Sequence, residues 1–114
     1  MRPTVAERLA HIEEAINNIE QMLAGRARAA FVEDMMLRLA VERSLEIISE
    51  ASRHIPPDLK AGNQTINWRR LADLGNWLRH AYHRTDAGLL WDMVQNELQP
   101  LKTFVRQLIE GPNH

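Results

Sequence analysis

Asn76, Leu78, His80 and Tyr82, within the run Asn-Trp-Leu-Arg-His-Ala-Tyr, form the constellation whose residue types and spacing suggest chemistry. An imidazole exchanges a proton near neutral pH. Asn76 and His80, four positions apart, share one face if the segment is helical. Arg79 and Tyr82 flank that face, and His83 and Arg84 continue it one turn later. Guanidinium groups around a proton-transferring imidazole suit a phosphodiester substrate. His80 would then be the general acid or base. Asn76 would orient it or hold a phosphate oxygen, and Arg79 or Arg84 would offset developing charge. Arg69 and Arg70 extend the stretch, so residues 68 to 84 carry four Arg against one Asp, a balance of +3 in a chain of net charge -1. That asymmetry favours an anionic ligand modestly. Each residue also has a plainer use: a solvated helical Arg, a packed His, or an Asn bonded to a neighbouring carbonyl.

Other candidates carry less. Trp68, Trp77 and Trp91 could stack bases, although three Trp in a small helical chain more often belong to a core or a subunit contact. Tyr82 on its own reads as a ring that packs while its hydroxyl stays wet. His80 and His83 could be half a metal site, but no third ligand stands at a workable spacing, so no metal is expected. With no cysteine in the chain, disulfides, thiol catalysis and Cys-based zinc sites are excluded, which fits a reducing cytoplasm. The near-neutral net charge argues against a general nucleic-acid binder and leaves room only for a local patch. Positive charge comes from 12 Arg and 2 Lys. That excess suits bidentate phosphate contacts, and a codon-usage bias explains it equally well.

These residues need elements to position them. Thr4-Val-Ala-Glu7 reads as a capping box, followed by Val5, Leu9, Ile12, Ile16, Ile19 and Leu23 as one helical stripe, with Gly25 as the stop. A second helix is expected from about 31 to 54. Leu37, Val41, Leu45, Ile48 and Ile55 form its core stripe, which Met35, Met36, Leu39 and Ile47 widen. So broad an apolar surface predicts a central helix or one that also meets a partner chain. Pro56-Pro57 ends it, and residues 58 to 67 form a polar connection. Asn67 caps a third helix from Trp68 to about Tyr82. Thr85-Asp86 caps a fourth, with Leu89, Leu90, Met93, Val94, Leu98, Leu101, Val105 and Leu108 or Ile109 facing inward and a kink at Pro100. No segment alternates with period two. The expectation is a single all-α domain over 1–114, a four-helix bundle of antiparallel neighbours. Neither a leader's apolar region nor a membrane-spanning run is present, so a soluble, cytoplasmic protein is expected.

One family shows the same pieces in the same order. Ala40-Val-Glu-Arg-Ser-Leu-Glu-Ile-Ile-Ser-Glu-Ala51, Ile55-Pro56, Trp68-Arg69, Asn76-x-Leu78-x-His80-x-Tyr82, Leu90-Trp91-Asp92-x-Val94 and Leu98-x-Pro100-Leu101 span roughly residues 5 to 109. Together they resemble the HepT-like (DUF86) family of HEPN-domain proteins. The resemblance implies a HEPN four-helix bundle that forms a homodimer, its two active-site segments facing one another across a cleft. It also implies the toxin of a type VII-like toxin–antitoxin pair, a metal-independent endoribonuclease. The implied partner is a nucleotidyltransferase (MntA-like) antitoxin that transfers AMP to the position of Tyr82. The family motif reads Arg-Asn-x-Leu-x-His-x-Tyr, and here the Arg position is Gly75. Arg79 or Arg84 could supply a substitute charge. A catalytically lapsed binding module that pairs with a nucleotidyltransferase, or holds RNA uncut, is the alternative.

Overall fold

The capping box at the head of the chain closes as its residues require. Glu7 N–H donates to Thr4 Oγ1 at 3.1 Å, and Thr4 N–H donates to Glu7 Oε1 at 2.9 Å. Two of the donors that a helix start leaves unpaired are thereby satisfied. Helix α1 runs Val5–Leu23 and buries Leu9, Ile12, Ile16, Ile19 and Leu23. Val5 stands partly exposed at its first residue. Gly25 turns the chain at φ +74°, a left-handed conformation that glycine adopts without strain. The computed structural model describes residues 2 to 80 and 83 to 111, with backbone alone for 83 to 85.

The helix expected from about 31 to 54 is two helices. Helix α2 is Arg28–Glu33 and helix α3 is Met35–Arg53, with Asp34 between them in an extended conformation. Asp34 Oδ1 accepts from Leu37 N–H at 3.0 Å, while its own N–H donates to Phe31 O at 3.3 Å. One aspartate thus closes α2 and opens α3, because a side-chain acceptor at the N-cap competes successfully with helix continuation. The buried Arg38 donates to the Val32 carbonyl and braces the joint. Phe31 is fully buried.

Helix α3 is the central helix, packed between α1 on one side and α5 on the other. Leu37, Val41, Leu45 and Ile48 are buried as expected, together with Ser44, Ser49 and Ser52. Pro56 bounds α3, but the connection after it is not wholly irregular. Pro57 opens a one-turn helix α4, Pro57–Lys60, since a proline's missing N–H costs nothing at the first helical position. Trp68 Nε1 then donates to Asn63 O at 3.1 Å, and the Trp68 ring meets Phe104 edge-on, anchoring the connection on the core.

Helix α5, Trp68–Arg79, begins at Asn67, whose Oδ1 accepts from Arg70 N–H at 3.0 Å. It ends at Arg79 rather than Tyr82, with His80 N–H closing on Trp77 O at 3.0 Å. Helix α6, His83–Glu110, starts two residues before the expected Thr85-Asp86 cap and continues through Pro100. Leu90, Val94, Leu98, Leu101 and Val105 are buried on it; Leu89, expected inward, is 60% exposed.

The fold is all-α, with α1, α3, α5 and α6 as its four long helices. α6 packs on α1, α1 on α3 and α3 on α5, whereas α5 and α6, consecutive in the chain, have little direct packing between them. The bundle is open along that fourth side. No helix among the described residues is long and apolar enough to cross a membrane.

Candidate active site

The segment that carries the motif is fixed from behind by α3. Ser49 Oγ, almost fully buried, accepts from Gly75 N–H at 3.1 Å and donates to the Ala72 carbonyl at 3.2 Å. One hydroxyl therefore serves two backbone groups of α5 and sets its height against α3. A side chain on residue 75 would begin in ordinary contact with this hydroxyl, its Cβ 3.4 Å from Ser49 Oγ. Leu71, Leu74 and Leu78 fill the core side of α5. Asn76, Arg79 and His80 are left on its exposed side.

Asn76 and His80 lie one turn apart, as their spacing requires. His80 is the residue that closes α5, and Arg79 is the last in the helix. Among the described residues none of these three side chains makes a hydrogen bond or ion pair. The rest of the basic stretch behaves differently. Arg70 Nη1 reaches Glu97 Oε2 at 3.0 Å on α6, and Arg69 Nε lies 4.0 Å from Asp73 Oδ2. Arg69 and Arg70 are thus each matched with a carboxylate, and among the described residues the uncompensated cation of α5 is Arg79, directly beside His80. Arg43, Glu46 and Glu50 pair along α3: Arg43 with Glu46 at 3.9 Å, and Glu50 with Arg53 and His54. Tyr82 lies outside the described residues, and so do the side chains of His83, Arg84 and Thr85.

A groove of about 700 Å³ occupies the open side between α5 and α6. Leu74, Trp77, Leu89, Leu90 and Met93 supply its apolar surface. The charged rim is paired: Arg69 with Asp73, Arg70 with Glu97, and Arg28 of α2 with Asp92 at 3.3 Å. Sequence reasoning did not find this groove. Its one signal was Leu89 beside Leu90, two adjacent leucines where a single stripe needs one. The three tryptophans also separate here. Trp68 meets Phe104 and Trp91 meets Phe31, while Trp77 has no ring partner among the described residues and is 37% exposed. Among the described residues, no group of three His, Asp or Glu side chains is placed to hold a metal ion.

The family model described as "Ribonuclease HepT-like" matches residues 12–108. The chain belongs to the ribonuclease HepT-like family. A protein of Thermococcus cleftensis named "Probable ribonuclease HepT" is 37% identical over 102 residues, covering 90% of this chain and 93% of that one. "Putative RNase MJ1380" of Methanocaldococcus jannaschii is 34% identical over 94 residues, covering 82% and 86% respectively. A third relative, "Gamma-glutamylcyclotransferase and putative RNase MJ0434" of the same organism, is 31% identical over 110 residues; these are 96% of this chain and 50% of that protein. No solved structure gives a significant match. In this HepT-like chain Gly75 lies on the flank of α5 that faces Ser49. Asn76, Arg79 and His80 lie on its outer side.

Proposed function

We propose that this HepT-like protein is a metal-independent endoribonuclease, with His80 as its proton-transfer group and Arg79 as its charge-stabilising group. The observation that carries the reading is the isolated pair at the end of α5. Among the described residues, an imidazole that makes no hydrogen bond or ion pair stands beside the α5 guanidinium that no carboxylate pairs with. Family membership and the relatives' names support ribonuclease activity. In the reaction the ribose 2′-oxygen attacks the adjacent phosphorus and its proton passes to a base. The 5′-oxygen leaves with a proton from an acid. The products are a 2′,3′-cyclic phosphate and a 5′-hydroxyl. His80 performs one of the two proton transfers. Arg79 stabilises the charge that gathers on the phosphoryl oxygens, and Arg84 can contribute a second cation. Asn76, one turn before His80, orients the imidazole or holds a phosphate oxygen.

The active form is a homodimer in this reading. Met35, Met36 and Leu39 at the start of α3 are 57%, 79% and 46% exposed, a cluster of large apolar side chains that suits a contact with a second copy. The chain would be the toxin of a type VII-like pair, held in check by a nucleotidyltransferase antitoxin that modifies Tyr82 with AMP; that part rests on the family resemblance. The deciding experiment incubates the purified protein with single-stranded RNA in excess EDTA. Cleavage that leaves cyclic-phosphate ends, and that His80→Ala reduces at least 100-fold with an unchanged circular dichroism spectrum, is the expected result. Activity that disappears on chelation and returns with Mg²⁺ would overturn the metal-free mechanism. RNA that is bound but never cut would favour the lapsed binding module, in which Gly75 marks the lost function.

A further inference from the structure

We infer that the groove between α5 and α6 is a nucleobase subsite in which Trp77 stacks on the base next to the phosphate handled at His80. The inference rests on the ribonuclease reading and adds to it the place where the substrate is held. Three independent observations meet at this end of the groove. Trp77 alone of the three tryptophans lacks a ring partner among the described residues; it lines the groove and is 37% exposed. It precedes His80 by three residues, about 4.5 Å along a helix axis, which is within the span of one nucleotide. The charges are also sorted as a nucleotide would need. Every cation on the groove's rim has a carboxylate partner, so the groove suits a neutral ring. Arg79, without a carboxylate partner among the described residues, lies beyond it, where the phosphate would be.

The apolar surface of Leu74, Leu89, Leu90 and Met93 fits the same occupant, since a base buries its faces and leaves its edge at the polar rim. Stacking of this kind contributes roughly 1–3 kcal/mol per base and tolerates any base, because every base has a π-face. A polyanion lying along the groove would instead meet cations already matched with carboxylates, Arg69 with Asp73 and Arg70 with Glu97. The strand must therefore cross the end of α5, with one base turned in.

The test measures binding of fluorescein-labelled 2′-O-methyl tetranucleotides, which lack the nucleophile and cannot be cut, to the full chain. Trp77→Ala should weaken binding about 10- to 100-fold, on the scale of one lost stack. Trp77→Phe, which keeps a ring, should stay within a few-fold of wild type. A tetranucleotide with abasic sugars should bind wild type and Trp77→Ala alike. Equal affinity of wild type and Trp77→Ala for the base-bearing strand would overturn the subsite and leave the ribonuclease reading standing. No binding of any strand would overturn both. Light scattering runs alongside. If Trp77→Ala turns a dimer into a monomer, the groove belongs to a second copy and the subsite falls.

Discussion

Arg79 stands where the charge argument at the residue scale becomes testable. The guanidinium closest in sequence to His80 is also the cation of α5 that no carboxylate holds among the described residues, whereas Arg70 is tied to Glu97 at 3.0 Å. Removing each should therefore have different effects. Arg79→Ala should lower the maximal rate of RNA cleavage by roughly 10²–10³-fold, the scale of a lost charge-stabilising donor, while Arg70→Ala should change that rate only slightly. Gly75→Arg is the complementary experiment. A Cβ there meets Ser49 Oγ at 3.4 Å, an ordinary contact, so the backbone need not move. Replacing a mid-helix glycine also relieves a cost of about 0.5–1 kcal/mol. The variant should fold at least as well as wild type and cleave faster. If wild type is inert on RNA and Gly75→Arg alone switches cleavage on, the chain is a binding module that has lost its nuclease. That Asn76, Arg79 and His80 share the exposed side of α5 was legible in the sequence because i and i+4 spacing is local. Which arginines are already paired was not, since Arg70 and Glu97 are 27 positions apart.

Elements show the same division between local and distant causes. The Thr4 capping box and the Asn67 cap act within four residues and could be read directly. The break at Asp34 could not, because the apolar period runs on through Met35 and Leu37 and hides the cap inside it. The open α5–α6 side was illegible for another reason: two amphipathic stripes say that each helix buries a face, not which neighbour it buries it against. Helix α3 carries a pH-sensitive element at its far end. Arg53 first, then His54, hold the Glu50 carboxyl below its ordinary value of 4.5. A depressed carboxylate contributes stability that is present above its unfolded value and lost as pH falls through the folded one. The window therefore lies below pH 4.5. Glu50 is half exposed, so solvent screening keeps the contribution under about 1 kcal/mol. Glu50→Gln should make the loss of stability below that pH shallower, as measured by urea unfolding at a series of pH values, and should leave cleavage unchanged.

For the whole molecule, the expectation is association. The bundle uses α3 as its central helix and still exposes Met35, Met36 and Leu39 at that helix's start. Light scattering at micromolar concentration should report twice the 13.2 kDa chain mass. Met36→Asp combined with Leu39→Asp should shift it to the single-chain value while far-UV circular dichroism is preserved. A monomeric wild type would remove the composite cleft and require each chain to cleave alone. The all-helical class and a central helix were readable from period and composition. The mate for the exposed methionines was not, because a surface patch identifies no partner.

Helices α5 and α6 are the two walls of a groove, and Arg70 of α5 is tied across it to Glu97 of α6. His80 closes the other end of α5. Arg70 is ten residues, about 15 Å along the helix, from His80. The tie between the walls and the imidazole are thus placed at opposite ends of one helix. Cutting the tie with Arg70→Ala should alter the half-saturating RNA concentration several-fold and leave the maximal cleavage rate close to that of wild type.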